Sequence, residues 1–306
     1  MRCQIRSRTG VGAGTLVFAS LAVALWGCAT PVPLPPKAIE LNRLGAAALG
    51  VGDLPTAEAR LALAIEYGPK FTEAWVNLGL LELRRGNLKL ARKHLAHARS
   101  LNPDLPTPHH ALALLDEREA RTRQAEAGYR AALAVDPGFA PARTNLGRML
   151  FADGRYDDAR EQFQRLTEVA PDALDGWLGL AECLARLGRE RDSDQTTSRA
   201  RRLFGDRPEI VLLVARQMLR RGAYADAEAL LAPLTSQDDR RRSAVAWAWL
   251  GVARLGEGLT DEAATAAEEA LAVDPADPVA RFVWQQVRGP DPAETAEDPG
   301  ADLRGD

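Results

Sequence analysis

Few residues in this 306-residue chain combine the type and spacing that chemistry requires. Its four histidines fall as His94 and His97, three apart, and as the neighbours His109 and His110. Holding a metal would take a third or fourth donor converging on such a pair, so they read as surface or interhelical groups. The three cysteines, Cys3, Cys28 and Cys183, make no disulfide framework. Cys183 has no histidine near it in the sequence and reads as a small buried thiol rather than a nucleophile. The string Gly10-Val11-Gly12-Ala13-Gly14 follows no strand and so lacks the setting of a phosphate-cradling loop. The carboxylate pairs Asp157/Asp158 and Asp261/Glu262 stand where helices begin, and there they complement the helix dipole. No catalytic constellation, metal set or cofactor motif emerges, and the expectation is a protein that is not an enzyme.

The elements that would position any site are better defined than the site. With 46% apolar, 26% charged and only 6% aromatic residues, the composition is that of a folded chain rich in helix formers. Small residues recur at Gly45, Gly79, Ala113, Gly147, Ala181, Ala215 and Gly251, spaced by 34 residues five times and then by 36. Seven residues after most of them comes a turn glycine (Gly52, Gly86, Gly154, Gly188, Gly222, Gly258), and a second series of small residues follows at Ala57, Ala91, Ala125, Ala159, Ala227 and Ala263. Prolines close the units at Pro69, Pro103, Pro137, Pro171 and Pro275, where they end a helix and restrict the preceding residue. Small side chains at the crossing let two helices approach. Trp75, Leu95, Phe163 and Trp177 are large enough to fill the space between units. A hairpin of this kind cannot bury its apolar face alone, so the units must stack.

The best-preserved copy, Thr72 to Leu105, carries Trp75, Leu78, Gly79, Gly86, Ala91, Leu95, Ala98 and Pro103. This spacing resembles the tetratricopeptide (TPR) repeat. The resemblance implies an all-α fold, a right-handed superhelical solenoid of about seven helix-turn-helix repeats over 38–71, 72–105, 106–139, 140–173, 174–207, 208–243 and 244–277. A capping helix over 278–288 follows, with Val279, Phe282, Val283 and Val287 at helical spacing. The copies are unequal. Glu82 and Asp116 replace the usual aromatic, His109 stands where Trp75 does, and Ala120 takes the place of the turn glycine. Repeat five puts Ser193 and Thr197 at apolar or small positions, and Gly205 in place of the proline. In repeat six Pro233 falls inside the second helix, which predicts a shortened helix and a charged loop over Gln237–Arg242, either a hinge or a decayed repeat.

Residues 1–27 read as a targeting leader: Arg2, Arg6 and Arg8 precede an apolar run of 16 residues from Val11 to Trp26. Leu25-Trp26-Gly27-Cys28 resembles a bacterial lipobox, with Trp26 where a small residue is usual, and the resemblance makes Cys28 the lipidation site. Ala29 after the cysteine implies sorting to the outer membrane, with the chain on the periplasmic face; a retained leader would instead anchor it in the inner membrane. The tether 28–37 has four prolines between Pro31 and Pro36 and favours an extended spacer. Residues 289–306 hold six acidic and one basic side chain among Pro and Gly, and are expected to be disordered. The formal charge of −3, or −6 without the leader's three arginines, leaves no electrostatic footprint for nucleic acid.

In TPR folds the first helices line a concave groove. Carried onto this chain, the groove positions are Ile39, Asn42, Leu49, Val76, Asn77, Leu80 and Leu83 in repeats one and two. His110, Leu114, Glu117, Thr144, Asn145, Arg148 and Phe151 continue it in repeats three and four, and Leu178, Glu182, Leu212 and Arg216 in five and six. Asn77 and Asn145 occupy a place where TPRs use an amide, donor and acceptor at once, to hold the backbone of an extended peptide. The lysine/arginine clamp that grips a terminal carboxylate in chaperone-binding members is not evident. The apolar first third suggests a hydrophobic or helical segment as cargo. Lipobox and repeats together resemble the TPR lipoproteins of type IV pilus biogenesis, which assist secretin assembly. That resemblance implies a scaffold that binds a protein segment from an envelope complex; the alternatives are an assembly factor anchored in the inner membrane and an accessory subunit of an envelope enzyme.

Overall fold

The computed structural model describes residues 33–236 and 239–289. The leader 1–27, Cys28 with residues 29–32 of the tether, Gln237 and Asp238, and residues 290–306 of the acidic stretch lie outside the described residues.

The described chain is all-α, with no strand among the described residues. Seven helix pairs follow one another: α1 (Pro36–Val51) with α2 (Leu54–Tyr67), α3 (Thr72–Arg85) with α4 (Leu88–Leu101), α5 (Pro106–Arg118) with α6 (Thr122–Val135), and α7 (Ala140–Ala152) with α8 (Tyr156–Val169). Then come α9 (Leu174–Arg186) with α10 (Glu190–Phe204), α11 (Pro208–Arg220) with α12 (Tyr224–Leu231), α13 (Arg240–Gly256) with α14 (Thr260–Val273), and a last helix α15 (Pro278–Arg288). Each first helix packs on its own second helix, and each second helix packs on the first helix of the next unit. The core is therefore a line of small clusters rather than one centre. No described helix is long and apolar enough to cross a membrane.

The small residue of each first helix is there because a large one faces it. A Cβ on Gly79 would come 2.6 Å from Leu95 of the same hairpin, and one on Gly45 2.7 Å from Leu61. Repeat three solves the same problem the other way round. Ala113 stands at the glycine position, and Gly128 on the second helix gives way, since a Cβ there would lie 2.8 Å from that of Ala113. The neighbouring Tyr129 stays fully buried and donates its hydroxyl to Glu117 Oε2 at 2.6 Å.

The unequal copies are compensated locally. Glu82, buried where an aromatic is usual, accepts from Asn87 Nδ2 at 2.7 Å and Arg85 Nη1 at 3.2 Å. Asp116 accepts from Arg92 at 2.6 Å. A buried carboxylate survives only when held by such partners. In repeat five, Ser193 and Thr197 are buried, and Gln217 of α11 donates to both hydroxyl oxygens at 3.0 and 2.8 Å. The hydroxyls in turn donate hydrogen bonds to the carbonyls of Ala181 and Ser193. The apolar seam of the other units is thus replaced by a satisfied polar one. In repeat six α12 is only 8 residues long and runs into a 3-10 turn, Ala232–Leu234, that contains Pro233. Asp239 then caps α13, accepting from the N–H groups of Arg241 and Arg242.

At the hairpin turn most repeats place a glycine with φ between 72° and 83°, but repeat three places Ala120 there with φ 56°. An L-residue in the left-handed region costs roughly 1–2 kcal/mol, more than glycine loses in chain entropy. Ala120→Gly should therefore raise stability by about 0.5–1 kcal/mol. A urea midpoint that fails to rise at unchanged m-value would contradict this account of the turn.

Candidate functional site: an arginine-rich trough along the first helices

The residue four before the helix-crossing position does one job in four repeats. Trp75 donates its indole N–H to the carbonyl of Pro69 at 2.9 Å, and Trp177 does the same to Pro171 at 2.9 Å. His109 Nε2 reaches Pro103 O at 2.9 Å, and because a carbonyl only accepts, that nitrogen carries the proton. Arg143 completes the series with a guanidinium N–H on Pro137 O. The exchange of Trp for His or Arg thus keeps a donor while giving up the bulk of the indole. Each bond ties the exit proline of one unit to the first helix of the next.

His94 and His97 pack on the Trp75 ring, with centroids 5.5 and 4.6 Å away. Among the described residues, no group of three His, Cys, Asp or Glu side chains is placed to hold a metal. Cys183 is buried, and burial pushes its thiol up to about 12. Such a thiol stays protonated and unreactive at neutral pH.

The groove residues expected from the sequence divide into three groups. Leu49 and Val76 are 7% and 2% exposed and belong to the core, so neither offers a surface to a partner. The cause is packing across the repeat: Val76 lies in the cluster of Leu95, Ala111 and Leu115, and Leu49 in that of Leu61 and Leu81. A second group faces the groove but is already engaged. Asn77 Nδ2 donates to Asn42 Oδ1 at 2.8 Å. Asn145 Nδ2 lies 2.9 Å from His110 Nε2, one repeat back. Thr144 returns its hydroxyl to the Ala140 carbonyl of its own helix. Each asparagine thus spends an N–H on joining adjacent first helices. His110, wedged between Tyr129 and Phe139, is pushed down to about 4 by burial and is neutral. Leu80 and Leu212 are half-buried against core clusters, and Ile39 stands exposed on α1.

The third group lines open space. Leu83, Leu114, Glu117, Asn145 and Arg148 bound a cavity of about 620 Å³. Glu117 and Arg148 continue into a second of about 470 Å³, walled by Phe151, Leu178 and Glu182. Glu182 opens a third of about 300 Å³ with Arg216, Leu219 and Trp249. Because neighbours share walls, the three form one trough from α3 to α13. Sequence reasoning missed Arg84, Arg118, Arg186 and Arg220, which line it as well. Their signal was present in the chain, an arginine at steps of 34 residues with only Ala152 breaking the row. Arg216 pairs with Glu182 and lies over the Trp249 ring at 4.9 Å. Burial lowers its pKa; Glu182 opposes that, and the like charges of Arg220 and Arg186 add to the lowering.

Helix pairs at a fixed period, closed by a proline and joined by a left-handed turn, define a TPR solenoid, and the chain belongs to the tetratricopeptide-repeat proteins. Tetratricopeptide-repeat family models match residues 42–106, 118–175 and 150–216, together more than half of the chain. Among proteins similar to it, the type IV pilus assembly protein PilF of Pseudomonas aeruginosa is 36% identical over 102 residues, 33% of this chain and 39% of that protein. Tetratricopeptide repeat protein 8 of Mus musculus is 36% identical over 75 residues, 24% of this chain and 15% of that protein. The chain therefore matches less than half the length of these curated relatives. In three dimensions it resembles a tetratricopeptide-repeat protein from Parabacteroides merdae, with TM-score 0.63 and 20% identity over 83% of this chain and 99% of the other. It also resembles Pseudomonas aeruginosa pilF, with TM-score 0.55 and 22% identity over 70% and 95%. At those identities the two structures speak to the fold alone.

Proposed function

We propose that this chain is a lipid-anchored protein-interaction scaffold of the bacterial envelope, which captures a segment of a partner protein and assists the assembly of an envelope complex. The observation that carries the reading is the continuous trough along the first helices, open at the surface and lined by side chains that the fold leaves partly unpaired. The type IV pilus is the complex best supported, through the likeness to a pilus assembly protein. The lipid anchor rests on Leu25, Gly27 and Cys28. With Ala29 following, the reading puts the protein on the periplasmic face of the outer membrane.

Cys28→Ala should move the protein from the membrane fraction to the soluble one, because a lipid chain contributes about 0.8 kcal/mol per buried CH2 and the alanine variant carries none. Unchanged membrane retention would sink the anchor. Crosslinking in the native envelope, followed by mass spectrometry, tests the scaffold role itself, and a chain that captures no envelope protein under those conditions contradicts it.

A further inference from the structure

The trough is cationic in a chain that is not. Arg84, Arg118, Arg148, Arg186, Arg216 and Arg220 line it against only three carboxylates, Glu117, Asp175 and Glu182. The whole chain carries a net charge of −3. Two of the three carboxylates are committed, Glu182 to Arg216 and Glu117 to the Tyr129 hydroxyl. Among the described residues Arg118, Arg148 and Arg186 take part in no ion pair, whereas Arg220 lies 3.6 Å from Glu190 and Arg84 gives an N–H to the Leu49 carbonyl. On other surfaces the fold brings arginines onto carboxylates, as with Arg85 on Glu58 at 2.7 Å, Arg155 on Glu126 at 2.9 Å and Arg254 on Glu228 at 2.9 Å.

Helix electrostatics accounts for part of the row. Arg84, Arg118, Arg186 and Arg220 sit in last turns, where a cation complements the dipole. It does not account for Arg148 and Arg216, which lie further from their helix ends and face the same trough. Nor does it account for Leu83, Leu114, Phe151, Leu178 and Leu219, which share the lining with the charges. Packed helices stand about 8–10 Å apart, and an extended chain advances about 3.3 Å per residue. A strand of peptide laid along the trough would therefore meet a new first helix at about every third residue.

We propose that the trough binds an extended segment of a partner protein that bears a carboxylate at about every third residue, with apolar side chains between. This rests on the scaffold reading and gives it a chemistry. The arginine forks meet carboxylates in paired hydrogen bonds, the leucines and Phe151 receive the intervening side chains, and Asn145 keeps its carbonyl oxygen for a backbone N–H. The binding region accordingly runs from Leu83 and Arg84 at the end of α3 to Trp249 on α13, past the N-terminal end where Leu49 and Val76 are buried.

The test uses the full chain and a fluorescent synthetic peptide of about a dozen residues with Asp at every third position and Leu or Ala between, followed by anisotropy. Binding should weaken steeply as salt rises, and should be lost when every Asp becomes Asn. The pair Arg118→Glu/Arg148→Glu should weaken it at least about tenfold, while Arg99→Glu/Arg123→Glu on the outer helices should change it less than about twofold. Equal binding of the Asn peptide, or an equal loss in the outer-helix control, overturns the proposal. If the peptide binds only after residues 290–306 are removed, that acidic stretch of the chain itself is the occupant and the partner assignment is overturned. In the envelope crosslinking experiment, a partner captured equally by wild type and by Arg118→Glu/Arg148→Glu overturns the acidic-segment assignment and leaves the scaffold reading standing. Capture of nothing by either chain fails the scaffold reading.

Discussion

Replacing Phe163 by alanine is expected to cost about 3–5 kcal/mol. Phe163 is 3% exposed and belongs to the cluster that joins repeats three, four and five through Tyr129, Leu146, Leu150 and Cys183. Two glycines make room for its ring: a Cβ on Gly147 would lie 2.9 Å from it, and one on Gly179 of the next repeat 2.6 Å. Without the ring, both glycines face a void, so a cavity cost adds to the transfer loss. In a solenoid each unit is held mainly by its neighbours. The loss should therefore appear as a split urea transition, with the two ends of the array unfolding separately. The complementary variant, Gly179→Ala, should cost about 1–3 kcal/mol by overpacking the same ring. Combined with Phe163→Leu, it should cost less than the sum of the two, because leucine lacks the ring atoms that the new Cβ would strike. Strict additivity would mean that Gly179 is small for some other reason.

Acidification from pH 7 to pH 4.5 is expected to remove about 2–3 kcal/mol of stability through His110 alone. Burial holds this imidazole down to about 4 in the folded chain, against about 6.5 when unfolded. Below pH 6.5 the unfolded state therefore binds a proton that the folded state refuses. Stability is unaffected above that value and falls as pH drops toward 4. Protonation would also set a donor against the Asn145 N–H group that His110 Nε2 faces at 2.9 Å, and would put a charge between the Tyr129 and Phe139 rings. His110→Gln keeps an acceptor for Asn145 and removes the titration. Comparing the two chains by urea unfolding at both pH values cancels every other acid-sensitive group. Equal losses in the variant and the wild type would show that His110 carries none of the effect. The consequence reaches the trough, since Asn145 lines it and the His110 contact fixes its amide.

Much of this architecture is legible in the sequence alone. A period of 34 residues, with small residues at helix crossings, glycine at the turns and proline at the exits, specifies hairpins and their stacking, because each signal acts within one unit. The shortening at Pro233 is equally local, since a proline removes a hydrogen bond of its own helix. Even the arginine row at Arg84, Arg118, Arg186 and Arg220 was written at that same period.

The tertiary structure decided everything that depends on a residue one repeat away. Leu49 and Val76 occupy groove positions by count, yet are buried because the large side chains of adjoining repeats close over them. Asn77 and Asn145 stand where an amide can hold the backbone of a bound peptide, yet each gives an N–H to the preceding unit. His109, a departure from the tryptophan pattern by residue type, does the tryptophan's work because a donor is what the proline carbonyl requires. Helix periodicity sets which way a side chain points; what it meets there is set by the size and polarity of a neighbour about 34 residues away, which no local pattern encodes.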